Sequence, residues 1–199
     1  MQRLALGRNV IFCAGRSGST LFRENADNVL FAEDLPSLTR NLHHDPNLNF
    51  HLLIRHPVQR FFSGLWLEWC SHILPHWDEK IKPPLKDPMY SVNLYLEQIK
   101  KQIFIPDPEH MGNWLIKLDH GFISKCRVWK FEEINQLFEH VGIDPDNITI
   151  ELINPNIFLP FSYSEMYEQL TVENKIYVND YLRDEIIRYE FIMSTFYNF

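Results

Sequence analysis

The sequence predicts an α/β fold, a three-layer domain with a central, mostly parallel sheet flanked by helices. Three observations carry that expectation. Short apolar runs at Val10–Phe12 and Asn49–Ile54 read as buried strands, and each passes at once into a helical pattern. A third run, Ser124–Phe131 with CRVWKF at its centre, is again followed by an amphipathic stretch. Strands that alternate with helical segments build parallel sheets, because the chain must cross over before it can pair in the same direction. In such sheets ligands bind beyond the C-terminal strand ends.

Taken in order, the first strand leads through Gly15 and Gly18 into a helix from about Ser19 to Asn25, which Asp27-Asn28 ends as a turn. Val29–Ala32 is a short apolar run of strand character, Ser37–Leu42 has helical character, and His43–Asn47 is a loop. After the strand Asn49–Ile54, Pro57 suits the first position of a helix that continues through Cys70. Its apolar members Phe61, Phe62, Leu65, Trp66 and Trp69 recur at helical spacing and cover a broad buried face. His72–Pro88, rich in Pro and Lys, reads as a loop that either covers a site or is simply solvated. A helix is expected over Ser91–Lys101, an extended piece over Ile103–Pro108 and a short helix over His110–Leu118. Gly121 reads as a break before the third strand. Glu132–Val141 is an amphipathic helix stopped by Gly142. Asp144–Pro160 is irregular, helical pattern resumes from Ser164, and Thr171 is placed to cap one long terminal helix carrying Ile176, Tyr177, Tyr181, Leu182, Ile186 and Ile187.

Composition narrows the class. A chain of 199 residues fits a single domain spanning 1–199, and folding at that size buries about two-thirds of the unfolded surface. With 45% hydrophobic and 23% charged residues the chain is globular in type. A formal net charge of −7 argues against a protein that holds nucleic acid by its backbone. It leaves room for a nucleotide, since a few local Arg residues serve one small anion. Cys13, Cys70 and Cys126 are odd in number and widely spaced, so they read as buried thiols of a reducing compartment. No metal-ligand cluster is apparent. MQRLALGRN lacks an apolar segment long enough for secretion or membrane anchoring, which gives the expectation of a soluble, intracellular, cytoplasmic protein without stable membrane association. Periodicity leaves the oligomeric state open.

The chemistry concentrates at two strand ends. In NVIFCAGRSGSTLF (Asn9–Phe22) a strand feeds a helix through a glycine turn, which aims backbone N–H groups and a helix N-terminus at one spot. Arg16 adds fixed positive charge, and Ser17, Ser19 and Thr20 add hydroxyl donors. The pattern departs from the ATP-binding phosphate loop, because two residues separate the glycines and no Lys precedes the hydroxyl pair. Arg55 stands at the end of the strand Asn49–Ile54, next to the N-terminus of the helix begun by Pro57.

Together, Cys13–Phe22 and Leu53–Gly64 resemble the two signature segments of sulfotransferases that use 3′-phosphoadenosine 5′-phosphosulfate (PAPS). The resemblance implies a P-loop-like fold in which Gly15, Arg16, Ser17, Gly18, Ser19 and Thr20 hold the 5′-phosphosulfate, and Arg55 and Ser63 hold the 3′-phosphate. Asn28–Asn41 is similar to the stretch that carries a catalytic Glu in tyrosylprotein and membrane-type carbohydrate sulfotransferases, and it lands on Glu33. Val128–Gly142 and Leu170–Phe191, with Tyr181, Asp184 and Tyr189, resemble further parts of that branch. The basic, Gly-rich C-terminal lid of the cytosolic members has no counterpart after Leu170, and no segment of these 199 residues resembles the membrane anchor of the Golgi members.

The implied activity is transfer of a sulfuryl group to a hydroxyl or amine of a small-molecule, glycan or peptide acceptor, with Arg16 and Glu33 as the catalytic pair and no metal. His43, His44 and His56 are alternative bases, because imidazole titrates near neutrality, and of these His56, beside the implied 3′-phosphate site, reads as a phosphate neighbour rather than the base. Arg60 reads either as a cofactor contact or as packing for its helix. His110, Asn113 and Trp114 read as an acceptor lining or as core, and Lys80, Lys82 and Lys86 as an anion lure or a solvated loop. Two other classes share the nucleotide logic, an ATP-dependent small-molecule kinase and a non-catalytic nucleotide-binding module. The acceptor is not specified by the sequence.

Overall fold

The structure, a computed structural model, describes residues 8–14, 17, 21–22, 29–31, 47–68, 88–103, 111–148 and 162–197. Its strands are β1 (Asn9–Cys13), β2 (Val29–Phe31), β3 (Asn49–Ile54) and β4 (Cys126–Lys130). Its helices are α1 (Pro57–Glu68), α2 (Pro88–Lys100), α3 (His120–Ile123), α4 (Ile134–His140), α5 (Tyr163–Glu168), α6 (Val172–Tyr181) and α7 (Arg183–Thr195). Short 3-10 turns occupy Leu115–Lys117, Phe131–Glu133 and Pro145–Asn147. The chain divides into two compact units, one comprising Met1–His56, Asn113–Glu151 and Asp184–Phe199, the other Pro57–Gly112 and Leu152–Arg183.

The first unit contains the sheet, in the order β2-β1-β3-β4 with every pairing parallel. A parallel sheet is covered on both faces, which is why its strands are nearly continuous apolar runs. Alternation sends Val10, Phe12, Phe50, Leu52, Ile54 and Val128 to one face, where Phe122 and Ile123 of α3 and Ile192 of α7 close over them. Phe122 meets Phe12 edge-on at 4.6 Å between ring centroids. Ile11, Cys13, Leu53 and Trp129 face the other way, against Phe22, Leu137, Phe138 and Ile143. The α/β class and the parallel sheet flanked by helices are therefore present.

One polar group interrupts that second face. His51 is buried in β3 at 2% exposure, with Trp129 Nε1 donating to its Nδ1 at 3.2 Å and Asn9 Oδ1 3.1 Å from its Nε2. Since an indole nitrogen only donates, His51 Nδ1 must accept, so its proton sits on Nε2 and is donated to Asn9. Burial lowers the His51 pKa from 6.5 to about 4, with smaller contributions in the same direction from His140 and Arg127. Arg127 lies over the Trp129 ring at 4.3 Å and contacts the His140 ring, so the cluster is closed on its outer side.

A second anchor ties α7 to the segment before α3. Glu185 is fully buried and accepts the backbone N–H groups of Trp114, Leu115 and Ile116 at 3.0, 2.8 and 3.2 Å. Arg188, one turn on, donates to the Leu118 carbonyl at 2.7 Å. Such pairings satisfy backbone groups that the short 3-10 turn leaves without helical partners.

The second unit is helical among the described residues. Phe62 of α1 packs against Tyr167 of α5 and Phe61 against Tyr181 of α6. Tyr95 of α2 donates to Glu68 of α1 at 3.2 Å, and Asn174 of α6 donates to Asn93 of α2 at 2.8 Å.

Several boundaries differ from the sequence expectation. The helix expected from Ser91 begins at Pro88, a residue well suited to a first turn. Of the short helix expected over His110–Leu118, Met111 is helical, and its second half is instead the 3-10 turn Leu115–Lys117, held by Glu185. Gly121 does not break the chain but sits inside α3. Asp119 caps that helix by accepting the Phe122 N–H, and a Cβ on Gly121 would meet Asp119 Oδ1 at 2.9 Å. Glu132 and Glu133 fall in a 3-10 turn that precedes α4. Gly142 does end α4, with φ of +82°, as Ile143 N–H reaches back to the Phe138 carbonyl and Gly142 N–H to that of Glu139.

The single long terminal helix is in fact two. Thr171 caps α6 by accepting the Asn174 N–H, as expected, but the helix ends at Leu182 and α7 starts afresh. Ile176 and Ile187, read as part of one apolar stripe, are 57% and 58% exposed. The buried positions are instead Asn174, Val178, Leu182, Glu185 and Ile192, so two of the five are polar and invisible to a hydrophobic pattern. The helix from Ser19 is described only at Leu21 and Phe22, both helical, and the readings of Ser37–Leu42 and His72–Lys86 lie outside the described residues. No helix among the described residues is long and apolar enough to cross a membrane.

Candidate functional site

Strand register decides what the sheet presents at its C-terminal edge. Cys13 pairs with Phe31 on one side and Leu53 on the other, and Ile54 pairs with Lys130. All four strands therefore finish nearly level. The residues that follow them, the turn after β1, the segment after β2, Arg55-His56 and Phe131–Glu133, leave from one edge of one sheet.

At the end of β1 the chain turns back on itself, with the Ser17 N–H donating to the Ala14 carbonyl at 3.1 Å. Ser17 is fully buried, and its Oγ has no hydrogen-bond partner among the described residues. A buried hydroxyl left in that condition costs about 1–3 kcal/mol, so it marks a place where an acceptor would be welcome. One strand away, the Arg55 guanidinium lies over the Phe131 ring, its Cζ 4.4 Å from the centroid. Phe131 is the first residue after β4, so the β3–β4 register brings ring and guanidinium together.

The neighbouring strand-end side chains are held similarly. His56 meets Tyr189 of α7 edge-to-face at 5.0 Å. Burial lowers the His56 pKa, overriding the upward pull of Glu132 and Glu190, and burial likewise raises that of Tyr189. His56 is thus a neutral imidazole at neutral pH. The Lys130 Nζ lies 4.3 Å from the Tyr197 ring centroid, and the Tyr197 hydroxyl donates to Glu133, whose other oxygen accepts the Lys130 N–H at 3.0 Å. Three strand-end side chains, Arg55, His56 and Lys130, each rest on an aromatic ring.

Of the residues expected at the site, Ser17 and Arg55 thus lie at this edge. Ser63 belongs to α1 in the second unit and is buried, at 3% exposure. Gly15, Arg16, Gly18, Ser19, Thr20 and Glu33 lie outside the described residues, as do His43, His44, Cys70, Lys80, Lys82, Lys86 and His110. Arg60 is buried and donates to the Gly112 carbonyl, which is a packing role. Trp114 is a core residue, whereas Asn113 is exposed. Cys13 and Cys126 are free and buried, and burial pushes the Cys126 thiol up to about 12, so it is inert at neutral pH.

Compared with protein-family models, characterised proteins and solved structures, the chain matches none.

Phe131, Lys130 and Tyr197 were not expected at the site. The usable signal was alignment of strand ends: HLLI-R in β3 and CRVWK-F in β4 place a cation and a ring at adjacent exits once the two strands pair in parallel.

Proposed function

We propose that this protein transfers a sulfuryl group from PAPS to a hydroxyl or amine of a small-molecule, glycan or peptide acceptor. The observation that supports it most is the common edge: the turn after β1 and Arg55 after β3 leave adjacent parallel strands, level in register, with the Ser17 hydroxyl buried and unpartnered among the described residues. An orphaned donor beside a strand-end turn fits an anionic ligand. In this reading the domain is P-loop-like, Gly15, Arg16, Ser17, Gly18, Ser19 and Thr20 hold the 5′ end of the nucleotide, and Arg55 holds the 3′-phosphate.

The donor supplies an activated sulfonate, and the protein supplies position and charge. Glu33, two residues beyond the end of β2, accepts the acceptor's proton as the new bond to sulfur forms and the bond to the 5′-phosphate breaks. Arg16 and the backbone N–H groups of Ser17–Thr20 offset the negative charge left on the departing phosphate oxygen. A positioned general base of this kind contributes about 10²–10⁴-fold.

Calorimetry with 3′-phosphoadenosine 5′-phosphate (PAP), and separately with ATP and magnesium, tests the reading without knowledge of the acceptor. Tight PAP binding without added metal, lost in R55A, is the expected result. Preference for ATP with magnesium would favour a kinase instead. With labelled PAPS and a panel of sugars, phenols and peptides, E33Q should bind PAP as the parent does and turn over at least 100-fold more slowly, by the same general-base magnitude. Unchanged turnover would move the base elsewhere, with His56 as the next residue to replace.

A further inference from the structure

We infer that the outer groove between α3 and α7 is a self-association surface, on which a second copy of this chain lays its own α7 antiparallel to the first. The groove has a volume of about 600 Å³ and lies within the first unit, between residues 116–120 and the outer face of α7. On that helix Asp184, Ile187, Arg188 and Phe191 recur at i, i+3, i+4 and i+7, so they form one stripe. Six large hydrophobic side chains are exposed among the described residues, and three of them, Ile116, Ile187 and Phe191, line this one groove. Single exposed hydrophobics are ordinary, whereas three gathered in a groove make a surface that gains from being covered.

The charges on the stripe say what covers it. Arg188 donates to the Leu118 carbonyl at 2.7 Å and to His120 Nε2, and its Cζ lies 5.5 Å from the Phe191 ring centroid. None of these partners is a carboxylate, so the guanidinium is oriented without being neutralised. Asp184 stands four residues before Arg188, yet neither has an ion-pair partner among the described residues. Asp119, the other acid of the groove, accepts the Phe122 N–H at 3.1 Å as the cap of α3. A groove that carries both signs repels part of any simple anion or cation, but the same stripe turned end for end carries the matching order. A two-fold axis beside Ile187 and Arg188 brings the Ile187 side chains of the two copies together. It also sets Asp184 of each copy within one helical turn, about 5.4 Å along the axis, of Arg188 of the other, a gap that an arginine side chain spans. The result is an apolar centre flanked by two equivalent ion pairs. The opposite face of α7 is already fixed, because Glu185 holds three backbone N–H groups and Ile192 is in the core, so the stripe is presented on a rigid backing.

The test is sedimentation equilibrium of the full chain over a range of micromolar concentrations, with thermal unfolding of each variant as a control for folding. The parent should show a monomer–dimer equilibrium. I187D puts a charge at the apolar centre and D184R sets like charges across the axis, so each should raise the dissociation constant at least about 10-fold. R188E should do the same. Mixing D184R with R188E returns each charge to an opposite one, so the mixture should associate about as tightly as the parent although neither variant does so alone. I187D and D184R, both at exposed positions, carry the test if R188E fails to fold for want of the Leu118 contact. A parent that stays monomeric throughout overturns the inference and leaves the groove to another protein or a small ligand. A dimer that I187D and D184R leave unchanged forms elsewhere and overturns it too, as does a mixture of folded D184R and R188E that stays monomeric. None of these outcomes bears on the strand-end site.

Discussion

Two polar clusters in the first unit differ in how they use their charge. Around His51, hydrogen bonding is spent inside the fold: Trp129 donates to one ring nitrogen, Asn9 receives from the other, and burial keeps the ring neutral. Glu185 is a still more complete case, with three backbone N–H groups on one carboxylate. At the C-terminal edge of the same sheet, Arg55 lies over the Phe131 ring and Lys130 over the Tyr197 ring. The inner groups answer to the stability of the protein, and under the proposed function the edge groups answer to a ligand. A few residues along the same strand, from His51 to Arg55, separate the two uses.

Removing an inner group should therefore cost stability, and the largest loss is expected at Glu185. Glu185→Ala strands three backbone donors in a buried setting, for an expected cost of about 3–5 kcal/mol in urea unfolding. Glu185→Gln, which keeps an acceptor oxygen, should fall between. A loss under about 1 kcal/mol in the alanine variant would mean that water replaces the carboxylate and that the anchor is weaker than its geometry.

The next effect in size is pH-dependent. The folded pKa of His51 is lowered from 6.5 to about 4. The unfolded chain therefore binds a proton near pH 6.5 that the folded protein refuses until about pH 4, so stability is complete above that window and is lost as pH falls through it. The contribution is on the order of 3 kcal/mol across the window. Urea titrations at pH 7.5 and 4.5 should show the decline, and it should be shallower in His51→Gln. His56, lowered in the same direction, adds to the decline in both proteins. Equal slopes in parent and variant would remove His51 from the account.

These inner groups explain what a sequence reading reaches and what it misses. β1 and β3 were legible because both of their faces are buried, so nearly every residue is apolar; β3 was placed to the residue at Asn49–Ile54. Gly142 was legible because a positive φ has few other tenants. The break between α6 and α7 was hidden because buried Asn174 and Glu185 hold partners 81 and about 70 residues away along the chain. Local periodicity carries no record of such bonds. At the candidate site, Arg55 was marked by its place after a strand, but Phe131 becomes its neighbour only through the β3–β4 register, a tertiary fact.

The smallest expected effect sharpens the contrast most. Arg55→Ala removes a half-buried cation that lies over the Phe131 ring, and should change the unfolding free energy by no more than about 1 kcal/mol. A cost of several kcal/mol would place Arg55 with Glu185, as a structural charge, and leave the strand edge without a phosphate ligand.

The central claim is that two strand-end turns grip opposite ends of one nucleotide, and a crystal soaked with PAP examines it directly. The account predicts one phosphate within hydrogen-bond distance of the Ser17 hydroxyl in the turn after β1, and the other against the Arg55 guanidinium after β3. Density for PAP at any other place on the protein, or binding with Arg55 directed away from both phosphates, would contradict it.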